Sequence, residues 1–269
     1  MRLLNGSELA GYIKARQIGQ VRALRQAWKI IPKLAIVHTG NNPINNIYLR
    51  LKQEYGADIL VEVEIFNPAD IEVVDLVKKL NDDPTVHGIV IQLPLADPTE
   101  TELAVNSIAP EKDVDGLGEN SIYTSATAMA IDWLLVGYNV DFTDKEIVIV
   151  GKGRLVGAPL AKLWRGNGLF PIICDSKTND LTLELISADI IVSAAGVPGL
   201  IKSEMVKNKA VVVDAGTVSE DGTIKGDLDS KVRSRDDLTL TPEKGGVGPL
   251  TIAALFDNVI QSAQTTISK

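Results

Sequence analysis

The sequence predicts an α/β protein of two domains, the second built on a mostly parallel sheet. Three observations carry that reading. Apolar runs of strand length (LAIVH, GIVIQL, EIVIV, DIIVS, AVVVD) alternate with helix-length segments, and strands apolar throughout suit a parallel sheet covered on both faces. The alternation is interrupted once, by the polar, glycine-bearing passage PEKDVDGLGENS at 110–121. A glycine-rich loop, GKGRLVGAPL, directly follows one of the strands. At 269 residues the chain has the length for two modest domains with a cleft between them.

Taken in order, an amphipathic pattern runs from Ser7, the candidate N-cap, to about Trp28. Strand KLAIVHT, a helix from Ile44, strand LVEVEIF, a helix from Ala69 to Leu80, strand HGIVIQL and a helix over Thr99 to Ser107 follow. After the polar passage a helix over Thr127–Tyr138 leads into the second series. That series reads strand EIVIVG, a helix from Leu155, strand PIIC, a helix from Leu181, and strands DIIVSAAG and AVVVDAG. GGVGPLTIAALFDNVIQSAQ closes it with a glycine loop and a long apolar-striped helix. The expected domains are 1–124, completed by the C-terminal helix 251–269, and a Rossmann-type domain over 125–250.

Composition narrows the function. With 27 basic and 35 acidic residues the net charge is −8, which gives no general electrostatic support for nucleic acid or an anionic membrane as partner. The opening stretch MRLLNGSELAGYIKARQIGQ lacks an apolar core of signal-peptide length, and no run reaches the roughly 20 apolar residues of a membrane span, so a cytoplasmic protein is expected. A single cysteine, Cys174 in PIIC, excludes an internal disulfide and a multi-cysteine metal site, and reads as a buried strand residue. The two histidines, His38 and His87, border strand-like runs and read as packed imidazoles; no metal site is expected, and schemes that need several histidines fit poorly.

Two features point to chemistry. Gly151, Gly153 and Gly157 form G-x-G-x-x-x-G at a strand–helix junction, one residue longer than the commonest dinucleotide fingerprint. Glycine lets a pyrophosphate approach the backbone, and the following helix offers unpaired N–H groups. For the choice of cofactor the sequence points both ways: Asp175, ending the second strand, suits the ribose hydroxyl of NAD, whereas Lys152, Ser176 and Lys177 suit the 2′-phosphate of NADP. Tyr48 and Lys52, four apart in NNIYLRLKQEYG, place a phenol and an ammonium group on one helix face.

HTGNNPINNIYLRLK, LNDDPTVHGIVIQLPL, PEKDVDGL, VIVGKGRLVGAPL and GGVGPLT, in this order and approximate spacing, resemble the bifunctional methylenetetrahydrofolate dehydrogenase/methenyltetrahydrofolate cyclohydrolase family over essentially the whole chain. The resemblance implies a two-domain α/β homodimer of one-carbon metabolism and purine biosynthesis. Such an enzyme oxidises 5,10-methylenetetrahydrofolate with NADP, or NAD, and hydrolyses the methenyl product to 10-formyltetrahydrofolate. By the same resemblance Tyr48 stacks on the folate, Lys52 is the key catalytic residue, Gln92 contacts Lys52, and Asp115 holds the pterin. Gly245, Gly246 and Pro249 shape the loop beside the substrate, and Gly151, Lys152, Gly153, Arg154, Gly157, Asp175, Ser176 and Lys177 form the cofactor site.

The chain departs from the family pattern at Ser125-Ala126-Thr127-Ala128, in a shorter stretch before it, at Asp175, and at Glu243-Lys244. Two other readings compete. A dehydrogenase of another small substrate is opposed by QLPL with KDVDG, and a non-catalytic nucleotide-binding protein by the presence of both Lys52 and Asp115.

Overall fold

The computed structural model describes residues 1–40, 43–68, 72–220 and 223–268. In chain order the elements are β1 (Arg2–Leu3), α1 (Gly6–Ala23), β2 (Lys33–Val37), α2 (Pro43–Asp58), β3 (Glu62–Phe66), α3 (Val73–Asp82), β4 (Gly88–Ile91) and α4 (Thr101–Asn106). They continue as α5 (Ala126–Gly137), β5 (Ile147–Val150), α6 (Gly157–Gly166), β6 (Ile172–Cys174), α7 (Leu181–Ile186), β7 (Ile190–Ser193) and β8 (Val211–Asp214). The last are β9 (Val218–Glu220), β10 (Thr223–Lys225), α8 (Ser230–Arg233), β11 (Thr239–Leu240) and α9 (Val247–Thr265). The expected helix start at Ala69 lies outside the described residues; α3 itself begins at Val73.

Two compact units emerge. One comprises Gly11–Ala126 with the described residues from Ile252 onward, and its sheet is three parallel strands in the order β3-β2-β4. β2 is central and its last four residues are buried, as a central parallel strand requires, while β3 at the edge keeps Glu62 and Glu64 toward solvent. Val73, Val77 and Leu80, at helical spacing, bury one face of α3 against Ala35, Val37, Ile89 and Ile91. On α9, Phe256 stacks on Tyr55 of α2 with ring centroids 5.2 Å apart. A buried polar chain fixes α1, α2 and α9 together: Tyr55 Oη donates to Gln17 Oε1 (2.8 Å), and Gln17 Nε2 donates to Ala253 O (2.8 Å) and Asp257 Oδ1 (3.2 Å).

The other unit comprises Met1–Ala10 and Thr127–Thr251 around a six-stranded parallel sheet, β1-β11-β8-β7-β5-β6. The first ten residues thus pack with the later part of the chain, whereas the sequence reading grouped them with residues 11–124. The cause is strand pairing, Arg2 opposite Thr239 and Leu3 opposite Leu240, with Leu4 fully buried behind them. α1 begins at Gly6 and is capped by Asn5, whose Oδ1 accepts from Glu8 N at 3.2 Å, so Asn5 takes the role expected of Ser7. β1, β11 and the antiparallel β9–β10 pair were not expected; at two or three residues each they are too short to impress a periodicity on the sequence. On α6, Leu160, Ala161 and Trp164 are buried, and Trp164 Nε1 donates to Asp132 Oδ1 at 2.9 Å.

Strand order places the glycine loop. From β5 the chain passes through α6 to β6 on one side, then returns through α7 to β7 on the other side of β5. The carboxyl ends of β5 and β7 therefore mark a topological switch point, the crevice where open parallel sheets bind ligands.

Candidate active site

Pro43 opens α2, where its fixed φ is compatible with a first turn and its missing N–H costs nothing. Half-buried Tyr48 and Lys52 stand one turn apart on this helix, and Tyr55 extends the same face inward. Lys52 Nζ donates to Gln92 Oε1 at 2.8 Å. Gln92 follows β4; its backbone N–H donates to Val37 O at 2.8 Å and its side-chain Nε2 to Leu93 O at 3.2 Å, which turns the amide oxygen toward the lysine. Burial lowers the Lys52 pKa from the usual lysine value, and the negative charge of Asp115 offsets part of that effect. Asp115 mirrors it: burial raises its carboxyl, the Lys52 charge opposes the rise, and Asp113 adds to it. An amine biased toward its neutral form can accept and return a proton near neutral pH.

The structure divides the work within KDVDG. Lys112 caps the end of α3, donating Nζ to Leu80 O (3.0 Å), Asn81 O (2.7 Å) and Asp83 O (2.7 Å). Asp113 is buried and braces the turn behind it, accepting from Gly116 N (3.2 Å) and Gly118 N (2.8 Å). Val114 is buried, and its carbonyl accepts from Asn258 Nδ2 at 2.8 Å; the same amide reaches Thr124 O at 3.0 Å. The Asp115 carbonyl accepts from Ala126 N at 3.3 Å, and its side chain is the acid paired by charge with Lys52. Gly116 has φ +69°, and a Cβ there would come within 2.6 Å of Ser125 N, so only glycine fits the turn. Ser125, in the segment that departs from the family pattern, is the buried small residue at this close approach, and Ala126 after it is buried as well.

In the sheet unit of β5–β8, the loop after β5 meets the requirements of a dinucleotide. Gly151 has φ +100°, and a Cβ on Gly157 would lie 1.8 Å from Gly151 O, so the tight turn into α6 needs both glycines. Gly153 differs: nothing lies within 4 Å of where its Cβ would be. The fold makes no demand for glycine there, and the open space suits a ligand approaching the backbone. Lys152 is exposed and Arg154 half-buried in this loop. At the end of β6, Asp175, Ser176 and Lys177 form an exposed turn in which Asp175 Oδ1 accepts from Lys177 N at 2.8 Å, and Cys174 is buried beside it as expected.

Gly245 and Gly246 have a packing reason of their own in the unit that contains them. Gly245 has φ +81° and its carbonyl accepts from Ser7 N at 3.0 Å. Gly246 O would be 1.8 Å from a Cβ on Gly6, so α1 starts against this loop. Pro249 lies in the first turn of α9. Among the described residues no group of three or more metal-ligating side chains comes together, and no helix is long and apolar enough to cross a membrane.

Residues 4–115 match the catalytic-domain model of the tetrahydrofolate dehydrogenase/cyclohydrolase family, and residues 125–267 match that family's NAD(P)-binding domain. The chain belongs to this family. Its relatives include the bifunctional protein FolD of Campylobacter jejuni subsp. jejuni, 36% identical over 283 residues that span 100% of both chains. The crystal structure of the bifunctional Campylobacter jejuni enzyme superposes with a TM-score of 0.92 at 34% identity, covering 99% of each chain. The Trypanosoma brucei methylenetetrahydrofolate dehydrogenase-cyclohydrolase, solved with NADP cofactor and inhibitor, superposes with a TM-score of 0.91 at 29% identity over 99% of this chain and 98% of that one.

The structure thus joins Lys52 to Gln92 directly and to Asp115 through charge, with Tyr48 one turn away, all within one unit. The residues that sequence reasoning missed are bracing ones: Lys112, Asp113, Asn258 and, at the carboxyl ends of β7 and β8, Asp227 and Asp214. Only the doubled acid of KDVDG and the polar residues within the apolar run of α9 gave any signal of them.

Proposed function

We propose that this chain oxidises 5,10-methylenetetrahydrofolate to the 5,10-methenyl compound with NADP and hydrolyses that product to 10-formyltetrahydrofolate, with Lys52 as the group that handles protons. The observation that carries the reading is the Lys52–Gln92 hydrogen bond in a setting that disfavours the ammonium form.

Loss of hydride from the methylene carbon is assisted by its two nitrogen neighbours, so this step asks the protein mainly for alignment. Bound NADP would supply the hydride acceptor. Lys152, Arg154, Ser176 and Lys177 would hold its phosphates, with Gly151, Gly153 and Gly157 admitting the pyrophosphate to the backbone. Asp175 spends one carboxylate oxygen on the Lys177 N–H, which supports its role as a turn former more than as a reader of the ribose. Hydrolysis is the proton-demanding half. Water adds to the methenyl carbon and gives one proton to neutral Lys52. The bond from that carbon to the ring nitrogen then breaks as the nitrogen takes that proton back from Lys52, and the carbinol O–H proton leaves to solvent as the carbonyl forms. Gln92 orients the amine, Asp115 accepts the pterin N–H groups, and Tyr48 offers a stacking face. Gly245, Gly246 and Pro249 would shape the loop at the start of α9.

The reading extends to a cytoplasmic homodimer whose formyl product feeds purine biosynthesis, as expected of the family. An absorbance assay that follows formation and decay of the methenyl compound tests both activities. A tenfold preference for NAD over NADP in kcat/KM, about 1.4 kcal/mol, would make Asp175 the reader of the ribose and overturn the cofactor assignment. Sedimentation giving a stable monomer at micromolar concentration would overturn the dimer.

A further inference from the structure

Asp227, just after β10, is fully buried and accepts three hydrogen bonds: from Ser193 Oγ (2.7 Å) and Ala195 N (2.8 Å) on Oδ2, and from Val197 N (2.8 Å) on Oδ1. All three donors lie at or just beyond the carboxyl end of β7. A second acid, Asp214 at the end of β8, its side chain 4% exposed, accepts from Asp227 N (3.0 Å), Leu228 N (3.2 Å), Gly216 N (3.1 Å) and Arg233 Nη2 (2.5 Å). The two acids are fitted without slack. A Cβ on Gly216 would come within 2.2 Å of Asp227, and one on Gly226 within 2.1 Å of Asp214.

Because the peptide unit is planar and trans, its N–H and C=O point in opposite directions. The Ala195 N–H is drawn to Asp227, so the Ala194 carbonyl on the other side of that plane faces the glycine turn. A Cβ on Gly151 would lie 2.4 Å from this Ala194 O. The orientation of one peptide therefore decides what can occupy position 151. Gly196, between the two bound amides, has φ +67°, so the segment holds a conformation that the buried carboxylate specifies.

We infer that Asp227 is a positioning residue for the dinucleotide: by holding the 194–197 backbone it sets the wall against which the Gly151–Gly157 turn is formed. The inference rests on the reading that this domain binds NADP. Asp227→Asn keeps the shape but replaces one acceptor oxygen with a donor facing N–H or O–H groups. In the unliganded protein the Ala195 and Val197 amides should then exchange with solvent at least about tenfold faster, and NADP affinity measured by calorimetry should fall by about tenfold or more. Hydrolysis of the methenyl substrate, which consumes no dinucleotide, should stay within about twofold of the unmodified protein.

Loss of amide protection with NADP affinity unchanged would overturn the inference, as would equal loss of both activities with affinity intact. Failure of the unmodified protein to bind NADP would instead overturn the proposed function. Should Asp227→Asn not fold, Ser193→Ala decides: it removes one of the three bonds, and it must weaken NADP binding measurably where it speeds exchange at Ala195.

Discussion

Lys52 donates to the side-chain oxygen of Gln92 at 2.8 Å from a position where burial disfavours its charge. The hydrogen bond and the nearby Asp115 favour the ammonium; burial favours the amine. These opposed influences set how readily Lys52 gives and takes a proton, the exchange that hydrolysis of the methenyl cation requires.

Lys52→Met keeps a long apolar stem but cannot exchange a proton. Hydrolysis of the methenyl compound should fall by about 10²–10⁴-fold, the usual worth of acid–base assistance, while binding of methylenetetrahydrofolate remains measurable. Near-normal hydrolysis with intact folate binding would reduce Tyr48 and Lys52 to helix neighbours. Tyr48→Ala should weaken both activities through the lost stacking surface.

Asp115 raises the Lys52 pKa and Lys52 lowers that of Asp115, which fixes the direction of a pH experiment. Hydrolysis that needs neutral Lys52 rises with pH through the lysine pKa. Asp115→Asn removes the charge favouring the ammonium, so the ascending limb should move to lower pH even as the rate falls through weaker pterin binding. A limb that stays in place, or moves to higher pH, would show that Lys52 is not the group titrating.

Gly153 and Gly157 separate ligand demand from fold demand. Gly157→Ala forces a Cβ to within 1.8 Å of a carbonyl oxygen, so it should lower the melting temperature as well as the dehydrogenase rate. Gly153→Ala meets no protein atom within 4 Å and should melt as the unmodified protein does. Its cost should appear as weaker NADP binding, by titration. If Gly153→Ala binds NADP normally, the ligand does not approach the backbone there.

What the sequence disclosed follows from signal length. Strands β2, β5, β7 and β8 have four or five residues in apolar runs, and the long helices carry an apolar stripe, so the layered architecture was legible. β1 and β11 were not, because two-residue strands exist only by pairing with each other and with β8. At the site, KDVDG was visible as a motif, but its division of labour was not. A lysine that caps a helix, an acid that braces a turn and an acid left to face a charge partner are chemically alike in the string, and only tertiary placement separates them. Asp227 is the extreme case, because its partners at 193–197 are about 30 residues away.

His87 gives the last test, on stability. It is buried, and its Nδ1 accepts from Lys33 N at 3.2 Å, a bond that only the neutral ring can make. Burial lowers its pKa from the ordinary 6.5, and the adjacent Lys112 charge lowers it further, while Asp83 and a backbone bond at Thr85 act in the opposite sense. The unfolded chain therefore binds this proton more readily than the folded one. The stability contribution is fully present above 6.5 and is lost as pH falls from there through the lower folded value. His87→Asn supplies an amide oxygen as acceptor and does not titrate. Denaturant midpoints compared at pH 7.5 and at about pH 5 should fall more for the unmodified protein than for His87→Asn. Equal falls would mean that the proton goes elsewhere and that the imidazole holds its bond to Lys33 in either state.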